Sequence, residues 1–270
     1  MDSKQKFKRS IENRKHICIG LDSDIKKIPF FLLNSEDPLF EFNKIIIDST
    51  IDYAGAYKLN FAFYENEGLK GLNSLKKTIE YIGDNSFIIG DAKRGDIGNT
   101  SAMYASALFD HFKVDASTLH PYMGFDSISP FLNYSEKINF ILALTSNPGA
   151  NDFEKLKLTN GDYLYKFVIK KVIEWNRSEN CGIVFGATQL SELIDSIDLI
   201  KKVPVLLPGV GAQGGDLQEI VSIFKQHSIN NFLINSSRGI IYKDSSKNFG
   251  KAAKDELTKL NTTVLTVFSI

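Results

Sequence analysis

Eight short apolar segments, rich in β-branched residues, recur along the 270-residue chain and alternate with stretches of helical periodicity. Each apolar segment has the length of a strand, and each intervening stretch is long enough for a crossover helix. This alternation predicts parallel strands joined by helices. The predicted strands are residues 16–22, 54–60, 87–93, 115–120, 140–146, 181–187, 204–210 and 231–237, and the predicted helices include 42–53, 69–82, 101–112, 163–175, 191–201 and 216–227.

The ends of the predicted strands favour one of two parallel architectures. An open doubly wound sheet and a closed (β/α)₈ barrel both accommodate eight strands, but the barrel brings every carboxyl end to one face, where active sites lie. We therefore predict an α/β fold, a single-domain (β/α)₈ TIM barrel over residues 1–270, although length alone would also allow about two domains. Polar or charged residues close nearly every predicted strand, at Asp22, Lys58, Asn60, Asp91, Lys93, His120, Ser146 and Arg238.

The charge balance limits the partners of this chain. Its 32 basic and 32 acidic residues give a formal net charge of 0, without the broad positive field that binding to nucleic acids or anionic membranes requires. An anionic ligand must therefore be held by a few local groups. Residues 1–15 lack the apolar core of a signal peptide, and no apolar run is long enough to span a bilayer, so we predict a cytoplasmic protein.

The sequence also allows predictions about the two cysteines and the C-terminal segment. Cys18 and Cys181 lie far apart in predicted strands, with no CxxC pair and no histidine at zinc-ligand spacing. This pattern predicts buried free thiols and no metal site. Residues 262–270 are apolar but too short to cross a membrane, and we expect them to pack on the barrel.

A cluster of charges follows the third predicted strand, in the segment DAKRGD at residues 91–96. The strand period of two places Asp91 and Lys93 on the same face, with Asp96 beyond the strand and near the next helix. Nearby carboxylates favour the ammonium form of a lysine, so we predict that Lys93 acts as an acid and not as a Schiff-base amine. Lys58 ends the neighbouring strand and extends the cluster. A solvated rim of structural ion pairs is the alternative, because such networks also occur at strand ends.

The segment GVGAQG at residues 209–214 matches the dinucleotide-binding pattern G-x-G-x-x-G between a predicted strand and a predicted helix. That pattern expects an acidic residue at the end of the next strand, whereas this chain has Arg238 there. Loops after strands 7 and 8 of a barrel recurrently bind phosphate through backbone amides and an arginine. We therefore predict a phosphate site formed by Arg238 and residues 211–215. A glycine-rich turn beside a surface arginine is the alternative.

Five segments in order along most of the chain resemble the orotidine 5′-phosphate decarboxylases, specifically their longer, type 2 subfamily. The resemblance implies a homodimeric TIM barrel that converts orotidine 5′-phosphate to uridine monophosphate (UMP) and CO₂, the last step of de novo pyrimidine synthesis. It implies a carboxy-lyase with neither a metal nor an organic cofactor. The segments are DAKRGDIGNT at 91–100, HPYMGFDS at 120–127, TSNPG at 145–149, LPGVGAQGGD at 207–216 and SRGI at 237–240.

The resemblance also implies roles for individual residues. The catalytic tetrad of the family corresponds to Lys58, Asp91, Lys93 and Asp96, with Lys93 stabilising and protonating the C6 carbanion. One departure is His120, where the subfamily leads us to expect asparagine. The implied substrate-binding residues are Asp22 and Asn60 near the ribose, Ser146 at the pyrimidine amide edge, Gln213 between base and phosphate, Arg238 at the phosphate, Pro208 and Gly239 beside them, and Ile97 and Thr100 which, with Asp96, enter the partner chain's site.

Two other functions compete with this interpretation. A metal-dependent sugar-phosphate decarboxylase or aldolase of the same superfamily shares the D-x-K-x-x-D pattern but uses Mg²⁺ to stabilise an enediolate. A non-catalytic barrel could keep the phosphate site for nucleotide sensing. The loop that contains Gln213 and the segment 145–149 favour the pyrimidine enzyme over the first, and the complete tetrad favours it over the second.

Overall fold

Eight parallel strands close into a barrel in the computed structural model, which describes residues 1–210 and 216–269. Neighbouring strands pair in chain order, and the last strand pairs with the first, where Cys18 lies opposite Asn235. Each strand overlaps a predicted one, so the predicted barrel is confirmed. The strands are β1 (Ile17–Gly20), β2 (Ala56–Asn60), β3 (Phe87–Arg94), β4 (Ala116–Leu119), β5 (Ile138–Leu144), β6 (Cys181–Phe185), β7 (Val205–Pro208) and β8 (Phe232–Ser236).

Helices surround the barrel and occupy each of the predicted helical stretches. The stretch 191–201 forms two short helices, because Ser196 between them has non-helical φ and ψ angles of −111° and 7°. The stretch 101–112 ends in a π-helical turn, Ala107–His111. The helices are α1 (Ser3–Glu12), α2 (Pro38–Thr50), α3 (Phe61–Glu65), α4 (Gly68–Ile82), α5 (Gly98–Ser106), α6 (Phe125–Leu132), α7 (Leu164–Trp175), α8 (Leu190–Asp195), α9 (Ile197–Ile200), α10 (Leu217–Gln226), α11 (Arg238–Ile241) and α12 (Phe249–Ser269).

The charged N-terminal segment forms α1, which the sequence analysis did not identify. Its buried residues, Ser3, Lys6, Phe7 and Ser10, recur at helical spacing, so a narrow buried face is hidden among charges. The ring of Phe7 lies 5.6 Å from that of Phe87, at the amino ends of the strands. The α1 helix therefore covers the end of the barrel opposite to the strands' carboxyl ends.

Apolar side chains fill the interior of the barrel below its mouth. Both cysteines are buried free thiols, as predicted, and burial raises the pKa of Cys181 to about 12. The interior cluster includes Cys18, Ala56, Phe87, Ile89, Ala116, Ile138, Phe140, Val184, Leu206 and Leu233.

The C-terminal segment packs on the barrel, as expected, through the end of α12. The ring of Phe268 stacks on His16 at 5.6 Å and on Phe232 at 6.3 Å, both near the amino ends of strands. The Lys225 ammonium donates to the backbone carbonyl of Val267 at 2.8 Å. Within residues 1–210 and 216–269, no helix is both long and apolar enough to cross a membrane.

Candidate active site

A cavity opens at the carboxyl ends of the barrel strands and brings together most of the residues that the sequence analysis selected. It lies directly above the apolar interior cluster, and Leu142, Val184 and Leu206 form part of its wall. The strand ends thus meet at one face, as the barrel prediction required. The predicted site residues that line the cavity are Asp22, Lys58, Asn60, Asp91, Lys93, Ser146, Pro208, Arg238 and Gly239.

Asp91 is the centre of the charged network in this cavity. Its Oδ2 lies 2.6 Å from the Lys58 ammonium, and its Oδ1 lies 2.6 Å from the Lys93 ammonium. The Lys58 ammonium also lies 3.6 Å from Asp22 Oδ1. Lysine and aspartate therefore alternate along one line, from Asp22 at the end of β1 to Lys93 near the end of β3.

The network fixes the charges of its buried members. Burial opposes ionisation of Asp91, but the adjacent ammonium groups of Lys58 and Lys93 outweigh that cost and hold its pKa well below the ordinary value. Burial likewise opposes the charge on Lys58, and the carboxylates of Asp91 and Asp22 outweigh it and raise the pKa of that ammonium. Asp91 therefore stays ionised and Lys58 stays protonated around neutral pH.

Lys93 differs from Lys58 in its exposure and in its backbone. Its side chain is 49% exposed, whereas that of Lys58 is 5% exposed, so Lys93 presents its ammonium to the open mouth of the cavity. Lys93 has a φ of 46°, an uncommon conformation for a residue with a side chain, and the pairing register of β3 with β4 shifts between Gly90 and Arg94. The strand therefore kinks at the residue that carries the exposed charge.

Thr118 on β4 holds this kink, and the sequence analysis missed it. Its hydroxyl donates to Asp91 Oδ1 at 2.8 Å and accepts the backbone N–H of Lys93 at 3.0 Å. One side chain thus secures both the carboxylate and the kinked backbone. No sequence pattern pairs Thr118 with Lys93, because the two residues lie on neighbouring strands and are 25 positions apart in the chain.

The opposite side of the cavity carries the predicted phosphate residues. Arg238 is the first residue of α11 and, among the described residues, forms no ion pair, so its guanidinium can accept an anionic ligand. Asn235 and Ser237 line the same side and were not predicted; Asn235 Nδ2 donates to Ser237 Oγ at 3.3 Å. Gln213 and the amides of residues 211–215, which complete the predicted phosphate site, lie outside the described residues.

Three predicted site residues, Asp96, Ile97 and Thr100, do not line the cavity of their own chain. They lie between β3 and the first turns of α5, where Asp96 Oδ1 accepts the Ile97 backbone N–H at 2.8 Å. Ile97 is 60% exposed and Thr100 is also exposed. His120 lies beneath this segment, because a Cβ atom added at Gly95 would come within 2.3 Å of its Nε2. Its ring therefore packs against Gly95, and His120 is not among the residues that line the cavity.

The chain is similar to proteins of one family over nearly its whole length. Residues 15–253 match the model of the orotidine 5′-phosphate decarboxylase / HUMPS family. An orotidine 5′-phosphate decarboxylase of Porphyromonas gingivalis is 48% identical over 259 residues, 95% of this chain and 94% of the relative. The solved structure of Leishmania donovani OMP decarboxylase is 31% identical, with a TM-score of 0.82 and coverage of 98% of this chain and 99% of that chain. Leishmania donovani UMP synthase is 33% identical with a TM-score of 0.84; the match covers 98% of this chain and 57% of that chain.

Proposed function

The chain belongs to the orotidine 5′-phosphate decarboxylase / HUMPS family, and we propose that its barrel-mouth cavity converts orotidine 5′-phosphate to UMP and CO₂ in pyrimidine biosynthesis. The observation that carries this proposal is the position of Lys93, an exposed ammonium joined at 2.6 Å to the buried carboxylate of Asp91. In this proposal residues 1–270 form one catalytic domain, a carboxy-lyase that uses neither a metal nor an organic cofactor.

The chemistry requires a positive charge that is in place before the bond breaks. Loss of CO₂ leaves an electron pair on C6 of the pyrimidine, where the ring delocalises it poorly, so the barrier falls only if the site stabilises charge that develops in the transition state. A preorganised ammonium in a partly enclosed site does this without reorganisation. Lys93 supplies that ammonium and then transfers a proton to C6, which yields UMP.

The other members of the network keep Lys93 charged and in position. Asp91 pairs with Lys93 through one oxygen and with Lys58 through the other, so Lys58 balances the carboxylate from the buried side. Asp22 and Asn60 then lie on the side of the cavity where the ribose is bound. Ser146 faces the pyrimidine amide edge, and Gln213 acts between base and phosphate. The phosphate binds on the side of the cavity that carries Arg238, Gly239 and Pro208.

The site is completed by a second copy of the chain. Asp96, Ile97 and Thr100 lie outside the cavity of their own chain, which supports their entry into the neighbour's cavity. The same face exposes large apolar side chains, including Met103 at 59% and Tyr122 at 82%, as a surface that a partner would cover. In a twofold dimer, each site would then contain Lys93 of one chain and Asp96 of the other.

Mixed dimers test this arrangement directly. We expect Lys93→Ala and Asp96→Asn each to be nearly inactive alone, whereas refolding or co-expressing equal amounts of both yields about a quarter of the wild-type activity. Half of the dimers are then mixed, and one of the two sites in each mixed dimer has both residues intact. Activity no higher than that of the single variants would contradict the shared site. A mixture of two Lys93→Ala chains with different affinity tags is the control.

The proposed reaction is tested by the loss of absorbance of orotidine 5′-phosphate when the purified protein is added. We expect turnover that persists after dialysis against EDTA, because the proposed transition-state charge is met by a side chain. Within the described residues, no cluster of three or more His, Cys, Asp or Glu is placed to hold a metal ion. Activity lost with EDTA and restored by Mg²⁺ would contradict the metal-free reaction, and binding of the nucleotide without turnover would favour a sensor.

A further inference from the structure

The peptide between Thr145 and Ser146 lies beyond the last paired residues of β5. Leu144 pairs with Phe185 on β6, and its carbonyl accepts the backbone N–H of Gly186 at 2.7 Å. The N–H and carbonyl of Thr145 therefore need partners outside the sheet. This peptide carries Ser146 into the cavity, so the groups that hold it decide where Ser146 lies.

Glu154 holds Thr145, the residue on the amino side of this peptide. Its Oε2 accepts the Thr145 backbone N–H at 2.7 Å. The Thr145 hydroxyl lies 3.0 and 2.9 Å from the two carboxylate oxygens and 2.6 Å from Asn147 Oδ1, so its single proton is shared among these acceptors. Glu154 does not line the cavity, and its contacts with the strand end are made from outside.

Gln189, in the loop before α8, holds the carbonyl of the same peptide. Its Nε2 donates to the Thr145 carbonyl at 3.1 Å. The Lys155 ammonium, next to Glu154 in the chain, donates to Gln189 Oε1 at 2.7 Å and to Glu192 Oε1 at 2.6 Å. The loop after β5 and the loop after β6 are therefore joined, and the backbone N–H and the carbonyl of Thr145 both have side-chain partners.

Gly186 packs closely against one face of the Thr145–Ser146 peptide. A Cβ atom at this position would come within 2.8 Å of the Ser146 backbone nitrogen and 2.9 Å of the Thr145 carbonyl carbon. These are backbone atoms, which cannot rotate away as a side chain can. Thr145 is thus held by hydrogen bonds to both of its backbone polar groups, and the peptide that links it to Ser146 is held by close packing against Gly186.

We propose that Glu154 and Gln189 are positioning residues that fix Ser146 at the pyrimidine edge of the substrate and so determine recognition of the base. The inference rests on the proposed function, because it assigns the base to Ser146. Recognition of an amide edge by a hydroxyl depends strongly on position, since a small displacement leaves buried polar groups unpaired. Neither residue contacts the phosphate side of the cavity, so recognition of the phosphate should be independent of them.

The test compares the affinities of UMP and ribose 5-phosphate, measured by calorimetry. For Glu154→Ala we expect UMP binding to weaken about tenfold or more, as for loss of a hydrogen bond to a charged group, while ribose 5-phosphate binding changes less than about twofold. Glu154→Gln should restore UMP binding to within about threefold, because its amide oxygen can still accept the Thr145 N–H. Glu174→Ala, which removes an exposed glutamate of α7, is the matched control.

Two further variants separate positioning from general stability. In a Ser146→Ala background, Glu154→Ala should cause no further loss of UMP affinity, since the group that it positions is already absent. Gly186→Ala should reproduce the selective loss of UMP binding without removing any polar group. An unchanged UMP affinity, equal weakening of both ligands, or a full additional loss in the Ser146→Ala background would overturn the inference. If the wild-type protein binds UMP no more tightly than ribose 5-phosphate, the proposed function itself fails.

Discussion

Replacing Lys93 by alanine should reduce decarboxylation of orotidine 5′-phosphate by at least about 10²–10³-fold, the usual cost of removing one preorganised stabilising group, and in practice to an undetectable rate. Lys58 cannot replace it, because its ammonium is buried on the far side of Asp91. The barrel should remain folded, since Asp91 keeps its contacts with Lys58 and Thr118. The measurement is the loss of substrate absorbance, with circular dichroism as the check on folding.

A second measurement on Lys93→Ala isolates the proton transfer. Wild-type protein should catalyse exchange of the C6 proton of UMP in deuterated water, as followed by nuclear magnetic resonance, because this exchange reverses the last step. The variant should bind UMP but should not catalyse exchange, and retention of either decarboxylation or exchange would refute the assignment of Lys93 as the acid. Lys202→Ala, at an exposed lysine before β7 at the opposite end of the barrel, should behave as wild type.

Replacing Arg238 by alanine should lower kcat/KM for orotidine 5′-phosphate by about 10–100-fold, because charge-assisted hydrogen bonds to a phosphate each contribute about 1.5–3 kcal/mol. The phosphate is remote from the bond that breaks, so its binding energy supports positioning of the whole substrate. The loss should therefore appear in KM and, where binding of the phosphate assembles the site, in kcat as well.

The nucleoside orotidine, which lacks the phosphate, distinguishes this role from general damage. Wild type and Arg238→Ala should process orotidine at equal, low rates, because neither can gain from the absent phosphate. An unchanged kcat/KM for the phosphorylated substrate, or an equal loss with both substrates, would contradict the assignment. Arg177→Ala, in the loop between α7 and β6 at the amino end of the barrel, is the matched control.

Local patterns in the sequence predicted the barrel and the acidic and basic residues of its mouth. The period of two correctly placed Asp91 and Lys93 on one face, and the charges at strand ends converged because all strands are parallel. The helix α1 was not predicted because its buried face is narrow and partly polar. That face includes Lys6, which can be buried because its ammonium lies 3.2 Å from the Asp115 carboxylate.

Contacts between residues far apart in the chain could not be predicted from local sequence patterns. Thr118 acts on Lys93 from the next strand, and Glu154 and Gln189 act on Thr145 from two different loops. Nothing in the spacing of these residues indicates that they meet, because loop conformations depend on the elements that they join. Hydrogen bonds of this kind are formed only once the scaffold is in place.

The sequence by itself determined which residues could carry charge at the barrel mouth, because strand period, strand order and the chemistry of lysine and aspartate are local properties. Only the tertiary structure decided that one lysine is buried as a counter-ion while the other, the proposed acid, is exposed. Lys58 lies behind Asp91, whereas the kink in β3, held by Thr118, turns Lys93 toward the open cavity. Two chemically identical side chains thus differ because burial and backbone geometry, which are set by neighbouring strands, give them different surroundings.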